Sequence, residues 1–139
     1  MEGMQARIVS FCSQHRIDVL YAFGSRGVEA RELLEGARDA LRESPSDLDI
    51  AALPADGVRL SVREKVEISS ELEALFQVPR VDLVLFNEAD PFLAANIIRG
   101  ERLFCADVLA ADEYELYVLR RAGDLAPLER ERLSLLQAR

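Results

Sequence analysis

Asp47 and Asp49 stand two residues apart in an otherwise apolar run, Asp47-Leu48-Asp49-Ile50-Ala51-Ala52-Leu53. In a strand, side chains alternate between faces, so both carboxylates project to one side and Leu48 and Ile50 to the other. Asp is depleted in strands, and neighbouring like charges repel. A divalent cation with oxygen preference offsets that repulsion directly. The plainer reading makes Ser46-Asp47 a turn or cap and Asp49 an exposed edge residue. A further isolated acid, Asp82, interrupts the apolar run Val81 to Phe86. Alone it is explained by a buried ion pair with Arg80 or Arg99. If the two strands are neighbours, it becomes a third carboxylate beside Asp47 and Asp49, and such a trio makes a two-metal site for phosphoryl-type transfer. Gly24-Ser25 closes another apolar run and precedes a helical pattern. Gly permits close backbone approach, Ser adds a hydroxyl, and a helix start adds free N–H groups and positive dipole. Together these make a phosphate cradle, although many strand-to-helix turns use Gly-Ser without binding anything.

These residues need particular elements to position them. Apolar spacing predicts a short amphipathic helix over 3–15 and a buried strand over 17–23, where β-branched and aromatic residues end at Gly24. Val28, Leu33, Leu34, Ala37 and Leu41 fall at helical intervals, predicting a helix over 28–43 that Ser44-Pro45-Ser46 breaks. A second strand over 47–53 stops at Pro54 and the Asp56-Gly57 turn signal. A long helix is expected over 58–76, with Leu60, Val62, Val66, Ile68, Leu72, Leu75 and Phe76 as its apolar set, and then a third strand over 81–86. Asp90-Pro91 reads as an N-cap followed by Pro at the first helical position, opening a helix through Ile98. Residues 101–105 suit a last short strand. Two charged helices follow over 109–121 and 125–138, joined at Gly123-Asp124. Their leucines, Leu116, Leu119, Leu125, Leu128, Leu133, Leu135 and Leu136 with Val118, read as core ahead of partner surface. The layout is α/β (α+β), with a small mixed central sheet flanked by helices and a helical C-terminal part. Residues 1–139 form a single domain in this reading.

Composition narrows the chemistry. The 139 residues carry 17 Lys+Arg against 25 Asp+Glu, a formal net charge of −8, and half of them are hydrophobic. That supports a substantial core and excludes a disordered chain. The acidity argues against gripping a nucleic-acid polymer through a broad basic face. It leaves room for a small anionic ligand, because a bound metal reverses the local charge. The two cysteines, Cys12 and Cys105, have no CxxC or Cys/His company and are expected to be small buried hydrophobes. The single histidine, His15, carries no triad motif and is expected to be an ordinary, partly exposed side chain. No apolar run approaches the ~20 residues of a membrane span, and the N-terminal residues lack a signal-peptide layout. A cytoplasmic protein with no membrane partner is expected.

The combination of YAFGSRG (Tyr21 to Gly27), SDLDIAAL (Ser46 to Leu53) and VDLVLFN (Val81 to Asn87) resembles the DNA polymerase β-like nucleotidyltransferase superfamily. It is most similar to the minimal nucleotidyltransferases, the MntA-like antitoxins paired with HEPN-domain toxins. PFLAANIIRGERLFC and YELYVLRRAGDLAPL look like the family's C-terminal half. The resemblance implies the nucleotidyltransferase fold and transfer of AMP from ATP, with Mg²⁺ as one ion or two, onto a tyrosine hydroxyl of a cognate HEPN toxin. Carried over, Gly24 and Ser25 hold the β/γ-phosphates, and Arg26 is a candidate contact to the triphosphate or a surface residue. Asp47 and Asp49 bind Mg²⁺, while Asp82 completes the second metal site and helps deprotonate the acceptor. Two alternatives stand beside this: a small-molecule, antibiotic-type nucleotidyltransferase, and an antitoxin that neutralises by binding alone. One departure is plain. Twenty-two positions separate Ser25 from Asp47, where the family usually crosses in a much shorter segment, which implies an extended or inserted helix within Ala30 to Arg42.

Overall fold

In the computed structural model, which describes residues 3–137, one four-stranded sheet carries the chain, with strand order β3-β2-β1-β4. The elements are α1 (Met4–Gln14), β1 (Ile17–Phe23), α2 (Gly27–Leu34), β2 (Leu48–Pro54), α3 (Val62–Phe76), β3 (Val81–Leu85), α4 (Pro91–Ile98), β4 (Glu101–Cys105) and α5 (Val108–Gln137). Strand β1 pairs antiparallel with both β2 and β4, whereas β2 and β3 run parallel. The sheet is therefore mixed, as the sequence predicts.

Strand alternation divides the core into two layers. Leu20 and Ala22 of β1 and Leu48, Ile50 and Ala52 of β2 face Ile8 and Cys12 of α1 and Ile68, Leu72 and Phe76 of α3. The intervening residues, Val19, Tyr21, Phe23 and Ala51, face Phe86, Ala94 and Ile97 on the α4 side and Ala111 and Val118 of α5. Asp49 lies two residues before Ala51 on β2, so it belongs to the α4–α5 face. Each fully buried aliphatic side chain contributes about 1.5–3 kcal/mol, and the sheet is held from both sides.

The helix ends follow local chemistry. Asp90 caps α4 by accepting from the N–H groups of Phe92 and Leu93, with Pro91 at the first position. Helix α3 starts at Val62, four residues later than apolar spacing implies. Ser61 accepts from the Glu64 N–H while the Glu64 side chain accepts from the Ser61 N–H, a capping box written in the sequence as Ser-x-x-Glu. Val62, 77% exposed, and Val66 are not core residues.

Helix α2 is half the expected length. It ends at Leu34 because Gly36, at φ +79°, turns the chain left-handed. The Gly36 N–H then donates to the Leu33 carbonyl and the Ala37 N–H to the Glu32 carbonyl, which closes the helix in a Schellman arrangement. Residues 35–47 form an irregular segment rather than a helical insertion, and Val28 is exposed rather than part of an apolar face.

The C-terminal part is one continuous helix rather than two. Gly123 and Pro127 both lie inside α5. A helical Gly costs only about 1 kcal/mol. The Pro127 ring meets the carbonyl one turn back, which belongs to Gly123. The expectation that the α5 leucines are core also fails in large part. Val118 is buried and Leu125 half-buried, but Leu116, Leu119, Leu128, Leu133, Leu135 and Leu136 are exposed. Ala138, assigned to the last helix from sequence, lies outside the described residues. Of the cysteines, Cys12 is buried, its thiol pushed up to about 12 by desolvation, and Cys105 is half-buried. His15 is half-buried and hydrogen-bonded to Glu71 at 2.9 Å.

Gly100, between α4 and β4, holds the site's supporting strand in place. A Cβ there would lie 2.6 Å from the Ala22 carbonyl oxygen and 2.9 Å from the Phe23 Cα. Both are backbone atoms that cannot rotate away. Gly100→Ala is therefore expected to destabilise the fold by about 2–3 kcal/mol, the upper range for overpacking. The check is a urea midpoint that falls with unchanged slope; a loss under about 0.5 kcal/mol counts against this close approach.

Candidate functional site

The acidic residues meet at one end of the sheet. Parallel pairing sets Asp49 of β2 directly beside Asp82 of β3, and antiparallel pairing sets Asp49 opposite Phe23 of β1. The next residue after Phe23 is Gly24, which opens a single 3₁₀ turn over Gly24–Arg26 leading into α2. Gly24 adopts φ +71°, and a Cβ on it would lie 2.5 Å from Asp49 Oδ2. The absence of a side chain lets the start of the turn pass against the carboxylate. Sequence positions 24, 49 and 82 thus become neighbours through strand register alone.

The electrostatics follow from that geometry. The Asp49 carboxyl is held above its ordinary range, first by desolvation, then by the charges of Asp82 and Asp47 and a hydrogen-bonding contact with Asp82. Asp47 lies half-buried at the entrance to β2, with Arg80 Nε at 3.7 Å. Asp82 is exposed, so the alternative of a buried ion pair for it does not hold, and Arg80 turns instead to Asp47. None of the three acids is fully buried, contrary to what their apolar sequence context implies.

Among the described residues, no three His, Cys, Asp or Glu side chains converge as a ready-made metal cage. The donor set still suits a hard cation of the Mg²⁺ type. Such ions are commonly held by one or two carboxylates and complete their shell with water and phosphate oxygens. The mutual repulsion that raises Asp49 is the charge a divalent ion would neutralise, and Gly24 brings the turn's backbone against that carboxylate with no side chain between them.

Arg26 does not stand free for a phosphate and is not a surface residue. It is 4% exposed. Its Nη1 donates to the Ser46 carbonyl, its Nη2 to the Arg42 carbonyl, and its Nε to Glu29. Sequence reasoning missed Glu29 and Arg42 as its partners; the i,i+3 spacing of Arg26 and Glu29 was the available signal. It also missed Arg80 as the cation beside Asp47, one residue before β3. A cavity of about 550 Å³ opens at the opposite end of the sheet, among Asp18, Leu53, Asp56, Asn87, Asp107 and Tyr114. It contains none of the residues just described.

No curated protein sequence matches the chain. Solved structures do. A toxin–antitoxin structure with AMP-PNP is similar over 96% of this chain and 96% of that one, at 21% identity and TM-score 0.63. The MNT antitoxin complexed with tri-AMPylated HEPN toxin from Shewanella oneidensis is similar over 97% and 94%, at 20% identity and TM-score 0.61. The toxin–antitoxin structure MntA–HepT covers 97% and 95%, at 20% identity and TM-score 0.61. At these identities the likeness establishes the fold, a four-stranded mixed sheet between two helical layers. The family described as "Polymerase beta, Nucleotidyltransferase" matches residues 6–108, a span that includes Gly24, Asp49 and Asp82. The chain therefore belongs to the polymerase β nucleotidyltransferase family.

Proposed function

We propose that this chain, acting as a single transferase domain in the cytoplasm, moves AMP from ATP to a tyrosine hydroxyl of a HEPN-domain toxin and silences it as its antitoxin. The observation that carries this reading is the register that sets Asp49 beside Asp82 with Gly24 against its carboxylate. Support for the partner comes from the similar antitoxin structures, one of them in complex with a tri-AMPylated HEPN toxin. Support for the nucleotide comes from the similar structure with AMP-PNP. Among the described residues, no helix is long and apolar enough to cross a membrane.

In this reading Asp47 and Asp49 hold Mg²⁺, as one ion or two, with Asp82 completing the second site. When bound, Mg²⁺ neutralises charge on the transferring phosphoryl group and favours in-line attack. The Gly24-Ser25 backbone and the Ser25 hydroxyl hold the β- and γ-phosphates. The acceptor oxygen forms a bond to the α-phosphorus while the α–β anhydride bond breaks and pyrophosphate departs. Asp82, exposed at the edge of the site, takes the acceptor's proton.

The test is direct. Purified protein with Mg²⁺ and ATP labelled at the α-phosphate is expected to label the toxin on tyrosine. Asp47→Ala is expected to abolish that label. Absence of label on a toxin that binds the chain overturns the transfer reading, and neutralisation that survives Asp47→Ala supports an antitoxin that works by binding alone.

A further inference from the structure

We propose that Arg26 and Glu29 are positioning residues that lock the entrance of the carboxylate strand to the phosphate cradle. The inference rests on the reading of Asp47 and Asp49 as metal ligands, and it assigns a role to the long segment between Ser25 and Asp47. Arg26 immediately follows Ser25, so its backbone is part of the cradle turn. Its side chain reaches across to the carbonyl of Ser46, the residue immediately before Asp47, at 3.2 Å. A second branch of the same guanidinium donates to the Arg42 carbonyl, four residues earlier on that segment. One planar fork therefore grips the last stretch of the loop at two points and joins Ser25 to Asp47 through a single side chain.

Glu29, one turn further along α2, completes the clamp. It accepts from Arg26 Nε at 3.4 Å, from the Arg42 backbone N–H at 3.2 Å and from Arg42 Nε at 2.7 Å. Arg38 approaches the same carboxylate at 3.6 Å. Arg26 and Glu29 are both buried, in a chain where most charged side chains are exposed. Burial of a pair like this contributes little net stability compared with apolar packing, and its best-supported use is to fix one arrangement among several. Here the arrangement fixed is the approach of residues 42–46 to β2. The first residue of β2, Leu48, then hydrogen-bonds the Arg80 carbonyl beside β3. Cradle, loop and both acidic strands are thereby tied together before any ligand arrives, which is how a site is preorganised.

The experiment compares Arg26→Lys and Glu29→Gln with Ile68→Val, a core variant on α3 that lowers the melting temperature without removing any hydrogen bond of the clamp. Amide hydrogen exchange at Arg42 and Leu48 is expected to speed at least about 10-fold in the two clamp variants and to remain unchanged in Ile68→Val. The dissociation constant for Mn²⁺·ATP, measured well below each melting temperature, is expected to rise about 10-fold or more in the clamp variants only. Unchanged exchange in Arg26→Lys overturns the proposal. So does a loss of affinity that merely tracks melting temperature across all three variants. If the unaltered protein does not bind Mn²⁺·ATP, the metal reading fails, and the exchange measurement still decides the clamp.

Discussion

Asp49→Asn is expected to abolish nucleotidyl transfer and, in the same protein, to raise the melting temperature of the metal-free form. The two effects share one cause. Asp49 is set against Asp82 across the parallel pair and lies two residues from Asp47, and desolvation with these two charges holds its carboxyl above the ordinary range. A carboxyl raised on folding binds its proton more tightly in the native state than in the unfolded state. Its contribution to stability is therefore intact below the unfolded value of about 3.9 and is lost as pH rises through the folded value. At neutral pH the ionised Asp49 works against the fold, and an isosteric amide removes that repulsion. The gain is expected to be up to about 1 kcal/mol, the scale of a cross-strand pair, or about 3 °C for a chain of this length. The gap between variant and parent should close as pH falls toward about 4.

Mg²⁺ with nucleotide is expected to invert the order. A ligand that binds only the folded state adds RT ln(1 + [L]/Kd), about 2.7 kcal/mol at a hundredfold excess over Kd. The parent gains this and the variant does not. Transfer should fall at least about 1,000-fold, because stabilisation of the reacting phosphoryl group is usually the largest catalytic contribution. Thermal melts at pH 7 and pH 4, with and without Mg²⁺·ATP, check the prediction. A variant that melts below the parent in the metal-free state contradicts the repulsion, and one that still gains stability from Mg²⁺·ATP contradicts the role of Asp49.

Legibility in the sequence followed how local each signal was. The strands were readable because their β-branched and aromatic runs are short and bounded. Asp90-Pro91 was readable because a cap and a first-turn proline lie side by side. Apolar spacing misplaced the ends of α2 and α3, since spacing says which face is buried and nothing about where hydrogen bonding stops. The stop signals were present as Gly36 and Ser61-x-x-Glu64. The α5 leucines misled for another reason: a helix that runs past its supporting layer exposes residues whose pattern alone reads as core. At the site, the pairing of Asp47 with Asp49 was local and readable, and the placement of Asp82 depended only on β2 and β3 being neighbours. The Arg26 contacts were not readable, because they join residues 16 and 20 positions apart through a loop of no regular structure.

Gly24 is where backbone and carboxylate are most tightly coupled, and Gly24→Ala is expected to damage both. The native φ of +71° is left-handed, which costs a non-glycine residue about 1–2 kcal/mol. The new Cβ would also stand 2.5 Å from Asp49 Oδ2 and 3.5 Å from its Cγ. Either the carboxylate swings away or the turn lifts from β2, and both separate the cradle from the acidic pair. Transfer is expected to fall about 100-fold or more, since small misplacements of a reacting geometry carry penalties of that order. Stability is expected to fall by about 2 kcal/mol, part strain and part collision. The two parts can be separated by a double-variant cycle. In an Asp49→Ala background the collision has no partner, so the same Gly24→Ala change should cost only the left-handed strain. Unfolding free energies of the four proteins measure this coupling. A cycle that closes to zero would place the whole effect in the backbone of Gly24 and none in its contact with Asp49.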